Sequence, residues 1–322
     1  MALAKSECAV GSFRPMIHGV LLLDKPAGVT SNAALQRVRR LFGRIKAGHT
    51  GTLDPLATGL LPICLGEATK FSHSLLDADK TYEAVIRLGF VSSTGDAEGA
   101  IRGTRGPDFD DEKLQEVVRA FIGPILQRPP MHSALKKDGR PLYAYARAGI
   151  EVERSMRNVL IKDLGITDLK TNSLSIKVTC SKGTYIRVLA QDIGDALGCG
   201  GYLSALRRTR IADLDVASAI GLEDLERSGP AIGAIRVLPV DLLVSAYPAL
   251  RLDSAETKRM STGLDVRPAV EVVPQGPVRL YGPTGIFLGV GEGRSGGIVA
   301  PKRMLADPTA VPEKPANEQL TP

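Results

Sequence analysis

Hydrophobic positions along this chain follow three spacings, and each predicts a different element. Solid apolar runs come first. His18 to Asp24 reads as a buried strand, and Leu60-Leu61-Pro62-Ile63-Cys64-Leu65 is a second run suited to the interior. Strict alternation marks two more strands: Tyr82, Ala84, Ile86 and Leu88 interleave with Thr81, Glu83, Val85 and Arg87, and Leu174, Ile176, Val178 and Cys180 repeat the pattern. Helical spacing appears three times. Ser31 can cap a helix with Ala34, Val38, Leu41 and Phe42 inside and Gly43 at its end. Asp110 to Ile122 puts Leu114, Val117, Val118, Phe121 and Ile122 on one face before Gly123-Pro124 stops it. A third helix, with Leu189, Ile193 and Leu197 inside, ends at Gly198.

A short helix over Glu67–Leu75 and a strand with a basic end over Leu203–Arg210 complete the first part of the chain. Hairpin-like strands mixed with helices predict an α+β class with a mixed, mainly antiparallel sheet, rather than a doubly wound parallel one. Beyond a Pro- and Gly-bearing connection, residues 249–306 carry short apolar runs cut by Gly and Pro, the rhythm of a small β-barrel. The expected organisation is a flexible lead-in over residues 1–16 and a main domain over 17–245. A small domain over 248–306 and a disordered Pro-, Glu- and Ala-rich tail over 307–322 would follow.

Composition narrows the function classes. A hydrophobic content of 43% over 322 residues supports packed cores and about two domains. The net charge of +6 favours a polyanionic partner. Cys8, Cys64, Cys180 and Cys199 are far apart, with neither a Cys-x-x-Cys nor a neighbouring histidine pair, so neither a zinc site nor a disulfide framework is expected. No apolar run reaches the ~20 residues of a membrane span, and Met1–Pro15 lacks the apolar core of a secretory signal. A cytoplasmic protein with no membrane partner is expected. The segment 124–157 changes character: between Arg128 and Arg157 seven Lys/Arg stand against three acids, with Tyr143 and Tyr145 interleaved. Cations with aromatics suit phosphate contact and base stacking; a solvated loop and helix is the competing reading.

The candidate chemistry sits in Gly48–Pro62, Gly-His-Thr-Gly-Thr-Leu-Asp-Pro-Leu-Ala-Thr-Gly-Leu-Leu-Pro. Its glycines allow backbone angles closed to other residues, and Pro55 biases Asp54 towards an extended shape. The segment is a shaped loop presenting one carboxylate; on the dipeptides alone a surface turn would be the better reading. The whole string resembles the active-site motif of the TruB family of tRNA pseudouridine synthases. Four further strings add to the resemblance: Leu-Leu-Leu-Asp-Lys-Pro-x-Gly-x-Thr-Ser at 21–31, Lys-Thr-Tyr-Glu-Ala at 80–84, Ser-Ala-Leu-Lys-x-x-Gly-x-x-Leu-Tyr at 133–143, and Gly-Thr-Tyr-Ile-Arg at 183–187 followed by Asp192-x-Gly194.

The resemblance implies the pseudouridine synthase fold, an RNA-gripping insertion at 124–157, and a PUA-like C-terminal domain. It implies isomerisation of uridine to pseudouridine at position 55 in the tRNA T-loop, with no cofactor and no metal. Asp54 would be the catalytic carboxylate, Arg187 its charge partner, and Tyr82 the stacking surface for uracil with a role in proton transfer. Tyr185 and Leu206 would line the pocket, His49 would contact the RNA where the base had been, and Lys25 and Lys70 would hold phosphate or support the loop. Lys136, Lys137, Arg140 and Tyr143 would bind RNA. A monomer with tRNA as partner and no obligate protein partner is expected. Two rivals remain: a non-catalytic tRNA-binding or tRNA-folding protein on the same scaffold, and an RNA-guided relative acting on ribosomal RNA within a particle.

Overall fold

The computed structural model describes residues 17–308. The lead-in expected over 1–16 and the tail from 309 onward lie outside the described residues. Among the described residues no helix is long and apolar enough to cross a membrane.

One mixed sheet organises the main domain. Its strands run in the order Ile220–Gly221, Gly19–Lys25, Thr58–Leu65, Gly201–Ile211, Lys80–Leu88, Ser173–Cys180, Arg157–Lys170 and Gly123–Gln127. Neighbours are antiparallel except at two places, where Ile220–Gly221 joins Gly19–Lys25 and where Gly201–Ile211 joins Thr58–Leu65. The two kinds of apolar pattern have separate causes. Gly19–Lys25 and Thr58–Leu65 carry unbroken apolar runs, Val20 to Leu23 and Leu60 to Leu65, because both their faces are covered. Leu21, Leu23, Leu61 and Ile63 share one core cluster with residues of the helices Ser31–Leu41 and Ile186–Ala196, while Val20, Leu22, Leu60 and Cys64 share another with Val240, Leu243 and Phe287. Lys80–Leu88 alternates because one face only is packed: Ala84, Ile86 and Leu88 are buried and Glu83 and Arg87 are exposed.

Several expected boundaries shift for local reasons. Thr30, not Ser31, caps the first helix, its side chain accepting from the Ala33 amide, which frees the Ser31 hydroxyl for a tertiary contact. The helix Asp111–Ala120 stops before Ile122, whose side chain is 44% exposed rather than on the packed face. Gly66–Lys70 is a 3-10 turn followed by a short helix, His73–Asp77, in place of one continuous helix. The basic excursion is narrower than expected, because Gly123–Gln127 pairs with the start of Arg157–Lys170 at the sheet edge. Residues 128–156 therefore leave and re-enter the sheet between adjacent strands. The second domain holds a four-stranded sheet in the order Ala249–Arg251, Gly276–Tyr281, Phe287–Arg294, Ile298–Met304, with the helix Ser254–Ser261 and a Val266–Val299 bridge.

Candidate active site

The Asp54 loop joins two paired strands, Ala47–His49 and Thr58–Leu65. Buried polar groups hold its shape from below. The Ser31 hydroxyl donates to the Leu53 carbonyl at 2.9 Å and accepts from the Leu53 amide at 2.8 Å, fixing the residue before Asp54. The Gly28 amide donates to Pro55 O at 2.8 Å. Lys25, fully buried, donates to the carbonyls of Pro26, Val29 and Pro55 at 2.8, 2.7 and 3.4 Å. Arg208 is 1% exposed and donates from Nε to Leu60 O at 2.8 Å and from Nη2 to Gly51 O at 3.0 Å, gripping the loop at both ends. Gly59 has φ +99°, and a Cβ there would lie 2.3 Å from the Arg208 carbonyl oxygen, so the crossing of these strands admits glycine alone.

Asp54 emerges from this platform onto a cation. Arg187 Nε lies 3.1 Å from Asp54 Oδ2, and Arg187 Nη1 lies 3.1 Å from Asp96 Oδ2. The same guanidinium donates from Nη2 to His132 O at 2.7 Å and from Nη1 to Thr94 O at 3.4 Å. Asp96 is buried, its Oδ1 accepting from Thr94 Oγ1 at 2.6 Å and from the Glu98 amide at 3.1 Å. Two carboxylates thus share one buried arginine, and only Asp54 opens towards solvent, its side chain 36% exposed against 2% for Asp96. Burial holds the Asp54 carboxyl above its ordinary value; Arg187 is the leading influence pulling it back, and Asp96 pushes the same way as burial.

A cavity of about 330 Å³ lies beside this pair. Asp54, Arg187, Tyr82, Tyr185, Leu206 and Arg208 line it, together with Lys80, Arg157 and the Gly183–Ile186 turn. The size suits one nucleoside. Tyr185 precedes the helix Ile186–Ala196 and is clamped through its backbone by Gln127, whose amide group accepts from Tyr185 N at 2.9 Å and donates to Tyr185 O at 3.3 Å. Lys80 Nζ donates to the carbonyls of Leu75, Leu76 and Ala78, and burial pushes its pKa down to about 8.

The remaining sequence candidates fall in three places. His49 sits half-buried at the end of its strand outside the cavity lining, with Nδ1 buried and unpartnered; burial, then Arg208, lowers its pKa. Lys25 spends its ammonium on loop carbonyls, and burial brings its pKa down to about 8, so it fits the loop-support side of its expectation. Lys70 is remote from the cavity: its Nζ meets Glu67 Oε2 at 2.5 Å and donates to Met304 O at 3.1 Å, joining the two domains. In the 128–156 excursion, Lys136–Lys137 and Arg140–Pro141 form a two-residue-loop hairpin in which Asp138 and Gly139 have φ of 51° and 76°. Arg140 lies 4.8 Å over the Tyr145 ring and Arg147 5.5 Å over the exposed Tyr143 ring.

A family model described as "TruB family pseudouridylate synthase (N terminal domain)" matches residues 39–186. Models for the "tRNA pseudouridylate synthase B C-terminal domain" and for "Pseudouridine synthase II TruB, C-terminal" match residues 187–233 and 248–305. The tRNA pseudouridine synthase B of Azoarcus sp. (strain BH72) is 54% identical over 92% of this chain and 97% of its own length. The chain belongs to the TruB family. A second TruB relative, tRNA pseudouridine synthase B of Dechloromonas aromatica (strain RCB), is 52% identical over 90% of this chain and 96% of its own. Among solved structures, a Cbf5-Nop10-Gar1 complex matches with a TM-score of 0.68 at 26% identity, covering 89% of this chain and 84% of that one. The archaeal box H/ACA sRNP Nop10-Cbf5 complex gives 0.68 at 24% identity over 93% and 90% of the two chains, a likeness of fold. The pseudouridine synthase fold of the TruB chain is shared with both.

Three side chains built into this TruB site were not singled out from sequence: Asp96, Gln127 and Arg208. Arg208 alone left a trace there, two residues beyond Leu206 in a period-two strand and hence on the same inward side.

Proposed function

We propose that this chain isomerises uridine to pseudouridine at position 55 in the T-loop of tRNA. The single observation that carries the reading is the Asp54–Arg187 pair at the wall of a nucleoside-sized cavity, with Tyr82 and Leu206 lining the same space. The reaction breaks the N1–C1′ bond, turns uracil while it is held, and joins C5 to C1′. It needs an ionised carboxylate at the sugar, as nucleophile or as base. Asp54 takes that role, held as an anion by Arg187. Uridine must leave its stack to reach the cavity. Tyr82 and Tyr185 then receive the uracil, Leu206 closes the apolar side, and His49 meets the RNA beside the opening. The relatives named above are tRNA pseudouridine synthases, which supports tRNA as the substrate.

The chain acts as a monomer in the cytoplasm and needs no protein partner, because the excursion at 128–156 supplies its own cationic surface. The decisive test incubates the purified protein with unmodified tRNA transcript and maps pseudouridine by position. Pseudouridine at position 55 is expected; tight binding with no modification would favour the non-catalytic rival.

Lys136, Lys137 and Arg140 are expected to contact phosphate. Neutralising all three should weaken tRNA binding and make the slope of log affinity against log salt shallower by about 2 to 3. Affinity measured across a salt series checks this, and an unchanged slope would assign these charges to solvent.

A further inference from the structure

Among the described residues four cations line the cavity, and three of them are already committed. Arg187 holds two carboxylates, and the buried Arg208 and Lys80 donate to backbone carbonyls. Arg157 differs from all three. It is exposed, and among the described residues its guanidinium forms no hydrogen bond and no ion pair. Two nearby exposed cations are not free in this way: Lys162, on the same strand, meets Asp79 at 2.5 Å, and Lys182, in the turn beside the cavity, meets Asp77 at 2.8 Å. Register fixes where the uncommitted arginine stands. Arg157 opens the strand Arg157–Lys170 and pairs directly with Gln127. Opposed residues share a face of a sheet, and so do alternate ones, which groups Arg157 with Gln127, Val159 and Ile161. Those three are buried, and Gln127 is the residue that clamps Tyr185. Arg157 therefore stands one step past the packed face, at the rim of the cavity, on a strand rather than on a loose loop.

We propose that Arg157 binds a phosphate adjoining the uridine that enters the cavity, a subsite separate from the cationic surface of the 128–156 excursion. The inference rests on the function proposed above, in taking an extruded uridine as the occupant. Such a nucleotide carries a phosphate on each side of its ribose. The uracil goes in towards Tyr82 and Leu206 and the sugar towards Asp54, so the phosphates stay at the mouth. Asp54 as an anion repels them just when the ribose must come up against it. A rim cation with no partner inside the protein offsets that repulsion. The planar fork of an arginine also matches two phosphate oxygens, which a lysine cannot do. Because the ribose is bonded to the phosphate so held, Arg157 also limits where the sugar can stand against the Asp54 carboxylate.

The test measures affinity for T-arm stem-loop RNAs that carry a single uncharged methylphosphonate, moved one phosphate at a time along the loop past the target uridine. Wild type, Arg157→Met and Arg157→Lys are compared, with thermal unfolding alongside. Arg157→Met should bind the unmodified RNA about tenfold more weakly, the range of one charged hydrogen-bonding contact. Its slope of log affinity against log salt should be shallower by about 1. At one of the two phosphates adjoining the uridine, the methylphosphonate should cost the wild type about tenfold and Arg157→Met less than about threefold, since both changes remove one contact. At every other position the two proteins should lose equally. Arg157→Lys should recover part of the affinity, and neither variant should melt at a different temperature, because no contact within the protein is lost. Equal costs in both proteins at all positions would make Arg157 a solvated charge. Coupling at a phosphate remote from the uridine would place it elsewhere on the RNA. Either result overturns the inference while leaving the function standing. A wild-type protein that leaves the uridine unchanged overturns the function, and the coupling, read from binding alone, still decides whether Arg157 holds that phosphate.

Discussion

Asp54→Asn should reduce pseudouridine formation by roughly 10⁴-fold or more, because the substitution removes the carboxylate proposed to act at the sugar and leaves nothing to replace it. The fold should survive. Asparagine keeps the shape of the side chain, the loop is fixed by Ser31, Lys25 and Arg208 rather than by the carboxylate, and Arg187 retains Asp96 as its ion pair. Binding should be as tight as before or tighter, since an anion facing an incoming polyanion has been neutralised. Tritium release from tRNA carrying 5-tritiated uridine measures the chemistry, and filter binding measures the affinity. Appreciable turnover by this variant would remove Asp54 from the centre of the site.

Arg187→Met should cut turnover by about 10²- to 10³-fold, with little loss of tRNA affinity, and should also lower stability. The cation sits between two carboxylates, so its removal leaves a buried Asp96 uncompensated and Asp54 next to a like charge. Asp54 already titrates above its ordinary value with Arg187 present; without it the carboxyl moves higher and a smaller fraction is ionised near neutrality. The sign follows: the rate that remains should climb with pH and do so over a higher range than in the wild type. Arg187→Lys should recover only part, because one ammonium cannot serve both carboxylates and the two carbonyls that the planar fork reaches. Adding Asp96→Asn to Arg187→Met should restore stability without restoring the rate, which separates the structural share of the arginine from the chemical one. Normal turnover with poor tRNA binding would instead make Arg187 a phosphate contact.

The elements that could be read from sequence were those whose burial is a local property. The alternation over 81–88 announces its packed face because the sheet is covered there on one side, and the solid run over 60–65 announces a strand covered on both. Asp54, Tyr82 and Arg187 were legible through short strings that carry their own turn chemistry. Asp96 was not. It stands in a polar turn, Ser93-Thr94-Gly95-Asp96, that carries no apolar period, and its burial is decided by an arginine 91 positions further on. Gln127 fails for the same reason, since its task is set by Tyr185 on the far side of the excursion. Lys70 shows the converse error: a cation close in sequence to the loop points away from it, because the 3-10 turn at Gly66–Lys70 directs its ammonium to the second domain.

That second domain has a consequence for the order in which the protein can be completed. Leu60 and Cys64, on the strand that follows the Asp54 loop, are packed in one cluster with Phe287, Val290 and Leu305, and Phe71 meets Phe287 edge-on at 5.7 Å. Leu305 is made 240 residues after Leu65, a delay of roughly 10–50 s at ordinary rates of synthesis. Until then that face of the strand behind the Asp54 loop is covered only in part, by Phe71, Ile211, Val240 and Leu243 as each is made. The packing of the main domain is therefore finished only when the segment from Phe287 to Leu305 has been made and docks on it.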